Sequence, residues 1–520
     1  MSATSKSSSI AKSAMSLSLV STITLVFSFL KESVFACFFG TTATADAYAI
    51  AIQLPVTLFA VVSTAISTVV IPNYSKVLIQ NGSGEARKFA SNLMTVVTFI
   101  TLLLLLILEL GAPLVIKLTA PGLVEETSDL TCLLFRMIMP TVLLTQLINI
   151  NTGILNVHKS FMLPALGSMF LNIVYVFFVV LLANSCGIYA AVIGVIVGSI
   201  GQFLYSMFLR RRFVKYRYEF NLKDDAMVDS VKMSFPVFIG IGAAEINRLV
   251  DKMVSSFLQP GSIASLNYAS KLSSAASSLL LSGISTVVYP EFSRCVNEKR
   301  FKDLANHFLL SLKLYVLITF PLIVGGAFLS NEIIAVIFKR GLFDTESVAR
   351  TAPIFACYLA GLLFTAIRQS SSRLFYSYRD SKTPMKNSII GIVCNIVLNI
   401  ILVQFLQALG LALATVLSAA IISTLILKDA KKINEHIEYG RMLPFVAKVF
   451  CSSVIMIGFL YIFKSLIGFK LLVSENIFYQ IFYLLLSTLI GVLGYGVMLF
   501  VTKTDEAQIV LRKIMKRKKA

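Results

Sequence analysis

The chain has 520 residues, 57% hydrophobic and 14% charged, with a mean hydropathy of +0.83 and a net charge of +20. A soluble protein of this length carries about 25% charge, so a soluble globular chain is excluded. So is the nucleic-acid partner that the net charge invites, because no basic-and-aromatic recognition module is present. What remains is an all-α polytopic membrane protein.

The polar start "MSATSKSSSIAKSA" leads into an apolar stretch too long for a signal peptide. It carries Lys31 and Glu32 and ends without an A-x-A-like site, which predicts a retained first helix. At about 20 residues per crossing, spans are predicted at 15–39, 46–71, 90–116, 130–155, 161–183, 187–209 and 229–257. They continue at 263–289, 306–330, 349–375, 385–406, 410–427, 443–466 and 477–502, about fourteen in all. The connections alternate in charge. "RRRFVKYRYEFNLK", "RCVNEKRFK", "YRDSKTPMK", "KDAKKINEHIEYGR" and the tail "RKIMKRKK" fall on one side, while "TTATAD", "NSCG", "QPGS" and "QALG" hold no lysine or arginine. Basic connections stay in the cytoplasm. An even number of spans then places both termini on the cytoplasmic side, with some attraction of the basic side to membrane lipids.

"AISTVVIPNYSKV" (65–77) returns as "GISTVVYPEFSRC" (283–295), and Pro164 and Asn172 are matched downstream with Pro384 and Asn395. The offset of about 220 residues encloses six spans, an even number, which makes the halves parallel repeats. The expected organisation is an N-terminal lobe (1–217, helices 1–6), a C-terminal lobe (218–432, helices 7–12), and 433–520 with helices 13–14 and a basic cytoplasmic tail. Transporters of this kind bind substrate where their repeats meet.

Nothing points to covalent chemistry. Seven cysteines form no CxxC pair, three histidines stand far apart, and no nucleotide, triad or zinc-hydrolase motif is present, so no enzyme is expected. The informative residues are charges inside apolar spans, which insertion scales penalise by about 2.5–3.5 kcal/mol each. In the first span Ser21, Thr24, Ser28 and Lys31 share one helical face, with Glu32 beside it. The seventh adds Glu245, Arg248, Asp251 and Lys252, of which Glu245 and Arg248 can pair at i, i+3. Lys271 lies in the eighth, Arg136 in the fourth, Arg368 and Arg373 in the tenth. Lys252, Arg136 and Arg373 sit near span ends, where lysine and arginine snorkel or pair. Lys31 and Lys271 lie deeper and suit an anionic substrate, phosphate above all.

Asp251 also belongs to a candidate cation set. Asn395 and Asn399 are i, i+4 on the eleventh span, and Thr415 opens the twelfth; such oxygens suit a hard cation such as sodium. The alternative is an interhelical hydrogen-bond cluster with Asp251 paired to Arg248.

"FLKESVFACFFGTTATADAYAIAIQLP", "INRLVDKMVSSFLQPGSIASLNYASKL", "ISTVVYPEFSR", "FKRGLFD", "RLFYSYRDSKTP" and "GLALAT" occur in order. Together they resemble the MurJ (MviN) family of the multidrug/oligosaccharidyl-lipid/polysaccharide exporter superfamily, over about residues 20–430. The resemblance implies a flippase for lipid II, the undecaprenyl-diphosphate-linked peptidoglycan precursor. Lys31 then stands at a cavity arginine, Glu32 at its acidic neighbour, Asp46 at a D-A-aromatic aspartate, and Lys271 at the arginine of Y-A-x-R-L; with Glu245 and Arg248 these are the expected substrate-binding residues of the cavity. Leu25 and Phe59 stand where the family carries two further arginines. The implied partners are a lipid-linked anionic glycan and other cell-wall synthesis proteins, and the implied coupling is sodium or membrane potential. The alternatives are a flippase for another undecaprenyl-linked glycan or a cation-coupled drug exporter.

Overall fold

The computed structural model describes residues 3–468 and 477–502, and its elements there are helical. The basic tail expected beyond residue 502 lies outside the described residues. The chain divides into two compact units, residues 1–264 with 340–343, and residues 265–339 with 344–520.

The first unit holds α1 (Ala3–Phe39), α2 (Ala43–Gln80), α3 (Gly82–Leu110), α4 (Ala112–Thr119), α5 (Glu125–Ile138), α6 (Thr141–Val157), α7 (Met162–Cys186), α8 (Tyr189–Arg210) and α9 (Asp225–Ser255). α1 packs on α7, α7 on α8, and α2 on α5, α6 and α9. Lipid tails are as apolar as leucine, so close packing must hold such helices together. α8 supplies it with Gly194 and Gly198, one turn apart. A Cβ on Gly194 would come within 3.1 Å of the Tyr175 backbone, and one on Gly198 within 3.2 Å of Leu171.

The second unit takes up α10 (Ser262–Asn297) from residue 265, then α11 (Phe301–Phe328), α12 (Ser330–Phe338), α13 (Thr345–Ser377) and α14 (Lys382–Ile433). A 3-10 turn (Tyr439–Met442) leads into α15 (Leu443–Phe463), which runs on as one π turn (Lys464–Gly468), and α16 (Ile477–Val501) follows. α15 and α16 pack on α11 through Val316, Val449, Met456, Leu460, Tyr495 and Leu499.

Several expected boundaries move. The span predicted at 130–155 is two helices, α5 and α6, bent by 41° at Met139–Pro140. A proline lacks the N–H that continues a helix and pushes against the preceding turn. The stretch 72–89, read as a connection, is helical apart from the junction at Asn81. The 52-residue α14 is two helices joined at Gln407, whose φ of 49° and ψ of −129° are not helical. That break falls within the expected turn "QALG". Ten described helices are long and apolar enough to cross a membrane, or eleven if the bent pair is one span, against about fourteen read from the sequence.

The repeat is visible in the backbone. Lys159 and Arg379 both have φ of 61°. Gly187 (φ 56°, ψ −138°) returns as Gln407 (φ 49°, ψ −129°). Both pairs are 220 residues apart, from 379 − 159 and 407 − 187. In that register Pro164 meets Pro384 as expected, whereas Asn172 meets Ile392, and Asn395 meets Tyr175.

Candidate functional site

In the first unit the polar stripe of α1 faces α7. Thr24 Oγ1 donates to the carbonyls of Val20 (2.9 Å) and Ala165 (3.4 Å). Two turns further on, Lys31 is half-buried, with its Nζ 4.5 Å from the centroid of the Tyr175 ring. An aromatic face attracts an ammonium by about 0.5–2 kcal/mol, depending on desolvation. The ring thereby gives the cation an apolar seat within α7. Glu32 is also half-buried beside it.

Asp46 plays a different part. It is 3% exposed in the first turn of α2, and its two carboxylate oxygens accept from the backbone N–H groups of Gly261 (2.6 Å) and Ala264 (2.7 Å). Those N–H groups sit at the start of α10, where a helix leaves donors unsatisfied and its dipole favours negative charge. The approach needs glycine at 261, where φ is +88° and a Cβ would collide with the Thr41 carbonyl. Nearby, Leu342 N donates to Cys37 O at 2.8 Å and Arg340 Nη1 to Ser33 Oγ at 3.1 Å.

On α9, Arg248 Nη1 donates to Glu245 Oε1 at 2.6 Å, the pairing its spacing predicts. Glu245 is buried and Arg248 exposed. Asp251 is half-buried, and its Oδ2 accepts from Asn247 Nδ2 at 3.5 Å. In the second unit Lys271 is exposed on α10, and the Arg373 guanidinium lies 5.5 Å from the Tyr289 ring centroid. Asn395 and Asn399 are brought together: Asn399 Nδ2 donates to Asn395 Oδ1 at 3.1 Å, and Asn395 Nδ2 to Ser418 Oγ at 3.3 Å. Both are buried, at 4% and 0% exposure. Thr415 is one turn before Ser418 on the neighbouring leg and donates to the Leu411 carbonyl. Among the described residues no group of three or more His, Cys, Asp or Glu could hold a metal ion. A cation here would rest on amide and hydroxyl oxygens, a donor set that fits a hard monovalent ion.

Sequence reasoning missed Tyr175, an unremarked aromatic among apolar neighbours, and the contact of Glu332 with Lys464 Nζ at 2.6 Å. An acidic residue in a short helix and a lysine ending a distant one share no spacing signal.

The family model "Lipid II flippase MurJ" matches residues 35–498. The chain belongs to the MurJ family. A probable lipid II flippase MurJ of Buchnera aphidicola subsp. Baizongia pistaciae is 28% identical over 466 residues, covering 88% of this chain and 90% of that protein. A MurJ of Rickettsia prowazekii, also described as a probable lipid II flippase, is 25% identical over 454 residues, covering 86% and 87%. Among solved structures, a lipid II flippase MurJ in an inward closed conformation superposes with a TM-score of 0.79 at 28% identity, over 94% of this chain and 99% of that one. An inward-facing multidrug transporter of the MATE family gives 0.64 at 13% identity, over 82% and 98%, a likeness of fold alone. With MurJ the likeness extends to sequence along nearly the whole chain, whereas with the drug exporter it stops at the fold.

Proposed function

We propose that this multi-pass membrane protein moves lipid II from the inner to the outer leaflet of a bacterial plasma membrane by alternating access. Family membership across residues 35–498 carries that reading. Lys31 over Tyr175 supplies its chemistry. A phosphate oxygen offers an ammonium a charge-assisted hydrogen bond of about 1.5–3 kcal/mol, enough to take the cation from the ring. The ring thus holds Lys31 ready, and the lipid diphosphate takes it over. Asp46, committed to two backbone donors, positions the helix start.

The charge asymmetry of the connections favours a cytoplasmic location for both termini. Cysteine-accessibility mapping tests it: residues 210–225 and 294–303 should be protected from outside reagents, and 41–45 and 258–262 reactive. Sodium coupling through Asp251, Asn395, Asn399 and Thr415 belongs to the same reading. A coupling ion must bind one state better than another, so transport in proteoliposomes should fall when potassium replaces sodium. Asp251→Asn should abolish that difference.

The deciding experiment is expression in a bacterium depleted of its own lipid II flippase. Survival with lipid II labelled at the outer surface is the expected result. A membrane-inserted protein that fails to rescue overturns the assignment. A second substrate, another undecaprenyl-linked glycan, is favoured by one feature: lysine at 31 and 271 lacks the guanidinium fork that grips a diphosphate bidentately. Rescue of a strain lacking a different glycan flippase, without rescue of lipid II export, would select it.

A further inference from the structure

At the arginine-rich end of the first unit a cavity of about 550 Å³ opens between α3, α6 and α8. Its lining combines apolar side chains, among them Leu147, Phe203 and Met207, with the basic Arg210, Arg211 and Lys215. Arg211 and Lys215 are exposed at the rim, as charged side chains normally are. Arg210 is not. It is the last residue of α8, only 5% exposed, and its Nη1 points at the Met94 thioether, 3.3 Å from Sδ. Its Nε is buried and has no hydrogen-bond partner among the described residues, and the next residue, Arg211, is a second cation lining the same cavity. A guanidinium presents five donors and is not discharged by deprotonation. Burying one among thioethers and cations is costly unless an anion completes the set.

The fold itself does not require a cation at this point. In the 220-residue register the counterpart of Arg210 is Ala430, fully buried in an apolar cluster with Ile426, Phe308 and Leu374. The second repeat closes the same helix end with side chains alone. The first repeat leaves a cavity there and aims a cation into it.

We propose that this cavity binds the phosphate of an anionic glycerophospholipid, with Arg210 as the buried anchor and Arg211 and Lys215 closing over the headgroup. The shared chemistry is a phosphate group, and the apolar lining selects the lipid over free phosphate. Leu204 and Phe208, on the same stretch of α8, are 50% and 63% exposed, as residues facing acyl chains would be. Tyr216, also at the cavity and 47% exposed, shares a 2.9 Å hydrogen bond with Thr95 Oγ1. An amphipathic ring is favoured at headgroup depth, and basic pockets between membrane helices are a known way of holding anionic headgroups.

The test uses the full chain in nanodiscs of phosphatidylcholine, with or without phosphatidylglycerol, read by native mass spectrometry and thermal unfolding. Phosphatidylglycerol should be retained and should raise the melting temperature, and millimolar inorganic phosphate should do neither. Arg210→Ala, the residue of the second repeat, should weaken retention by about tenfold, the scale of one charge-assisted contact. Wild-type retention in that variant overturns the proposal, as does equal retention of phosphatidylcholine. Protection by inorganic phosphate alone overturns the lipid as source. Should Arg210→Ala not fold, the rim variant Arg211→Ala/Lys215→Ala decides: reduced retention supports the site, and unchanged retention overturns it.

Discussion

α7–α8 of the first repeat and the two legs of α14 in the second have one backbone plan and different contents. Gly187 and Gln407 make the same break although only one of them is a glycine. Across it, the small residues Gly194 and Gly198 correspond to Ala414 and Ser418. The first pair lets the α7 backbone approach, and Ser418 instead accepts a hydrogen bond from Asn395. Asn395 itself stands where the first repeat has Tyr175, the ring beneath Lys31. The shared backbone satisfies a bilayer, which tolerates only internally bonded helices. The differing side chains then carry separate tasks, an aromatic seat for a cation in one repeat and a buried amide cluster in the other.

The largest expected effect tests that division at its centre. Lys31→Ala should lower lipid II export by about ten- to hundredfold, the loss of one charge-assisted phosphate contact, while membrane levels stay normal. Lys31→Arg should retain export. Lys271→Ala probes the exposed cation of the second unit in the same assay. Full export from the Lys31→Ala/Lys271→Ala double variant would remove the cation from the mechanism and leave Tyr175 as packing.

A second contrast lies at α4 and α12. Leu114 is 62% exposed, and its counterpart Glu332, 218 residues on, is buried against Lys464 at 2.6 Å. The two short helices have different partners: α16 packs on α12, whereas α9 packs on α4. Glu332→Leu, the residue of the first repeat, should strand Lys464. The cost is about 2 kcal/mol, below the roughly 3–5 kcal/mol of a fully buried pair, since the Lys464 side chain is 39% exposed. Adding Lys464→Met should recover most of it in a detergent melt. No recovery would mean that Glu332 acts through some other contact.

The two helices that follow the paired turns are capped differently as well. α2 caps itself, with Thr42 accepting from Ala45 N at 3.3 Å, while α10 borrows Asp46 from α2. Asp46→Ala should cost about 1–2 kcal/mol of stability, the usual loss of a helix cap. Thr42→Ala should cost less, because its hydrogen bond is longer. Equal melting temperatures for the two variants would contradict the assignment of Asp46 as the stronger cap.

These contrasts also show what the sequence could reveal. The all-helical membrane character, the repeat, the Glu245–Arg248 pair and the turn near Gln407 were legible because each leaves a local pattern of hydropathy, spacing or small residues. The Pro140 bend was available in the proline but masked by a continuous apolar run. Arg210 was read as part of a basic loop, since its burial depends on where α8 ends against α3. Asp46 and Gly261 lie 215 residues apart, and no periodicity links a carboxylate to the backbone donors of another helix.

The smallest expected effect comes from the matched turns at Lys159 and Arg379. The residue before each is aromatic in character: His158 stacks on Phe213 at 4.1 Å, and Tyr378 on Phe301 at 6.2 Å. His158 Nε2 also shares a 3.0 Å hydrogen bond with the Tyr74 hydroxyl. Partial burial lowers the His158 pKa from its ordinary 6.5, because the charged imidazolium is poorly solvated there. The unfolded chain then takes up the proton first. Stability is complete above about pH 6.5 and declines as pH falls through that value towards the lower folded-state pKa. The decline should be the smallest of the effects described, since it comes from one partly exposed group. His158→Tyr, which copies the second repeat, should remove this component from melts recorded between about pH 7.5 and 5.5. A variant that keeps the wild-type slope would locate the pH dependence in another residue and leave the two turns equivalent.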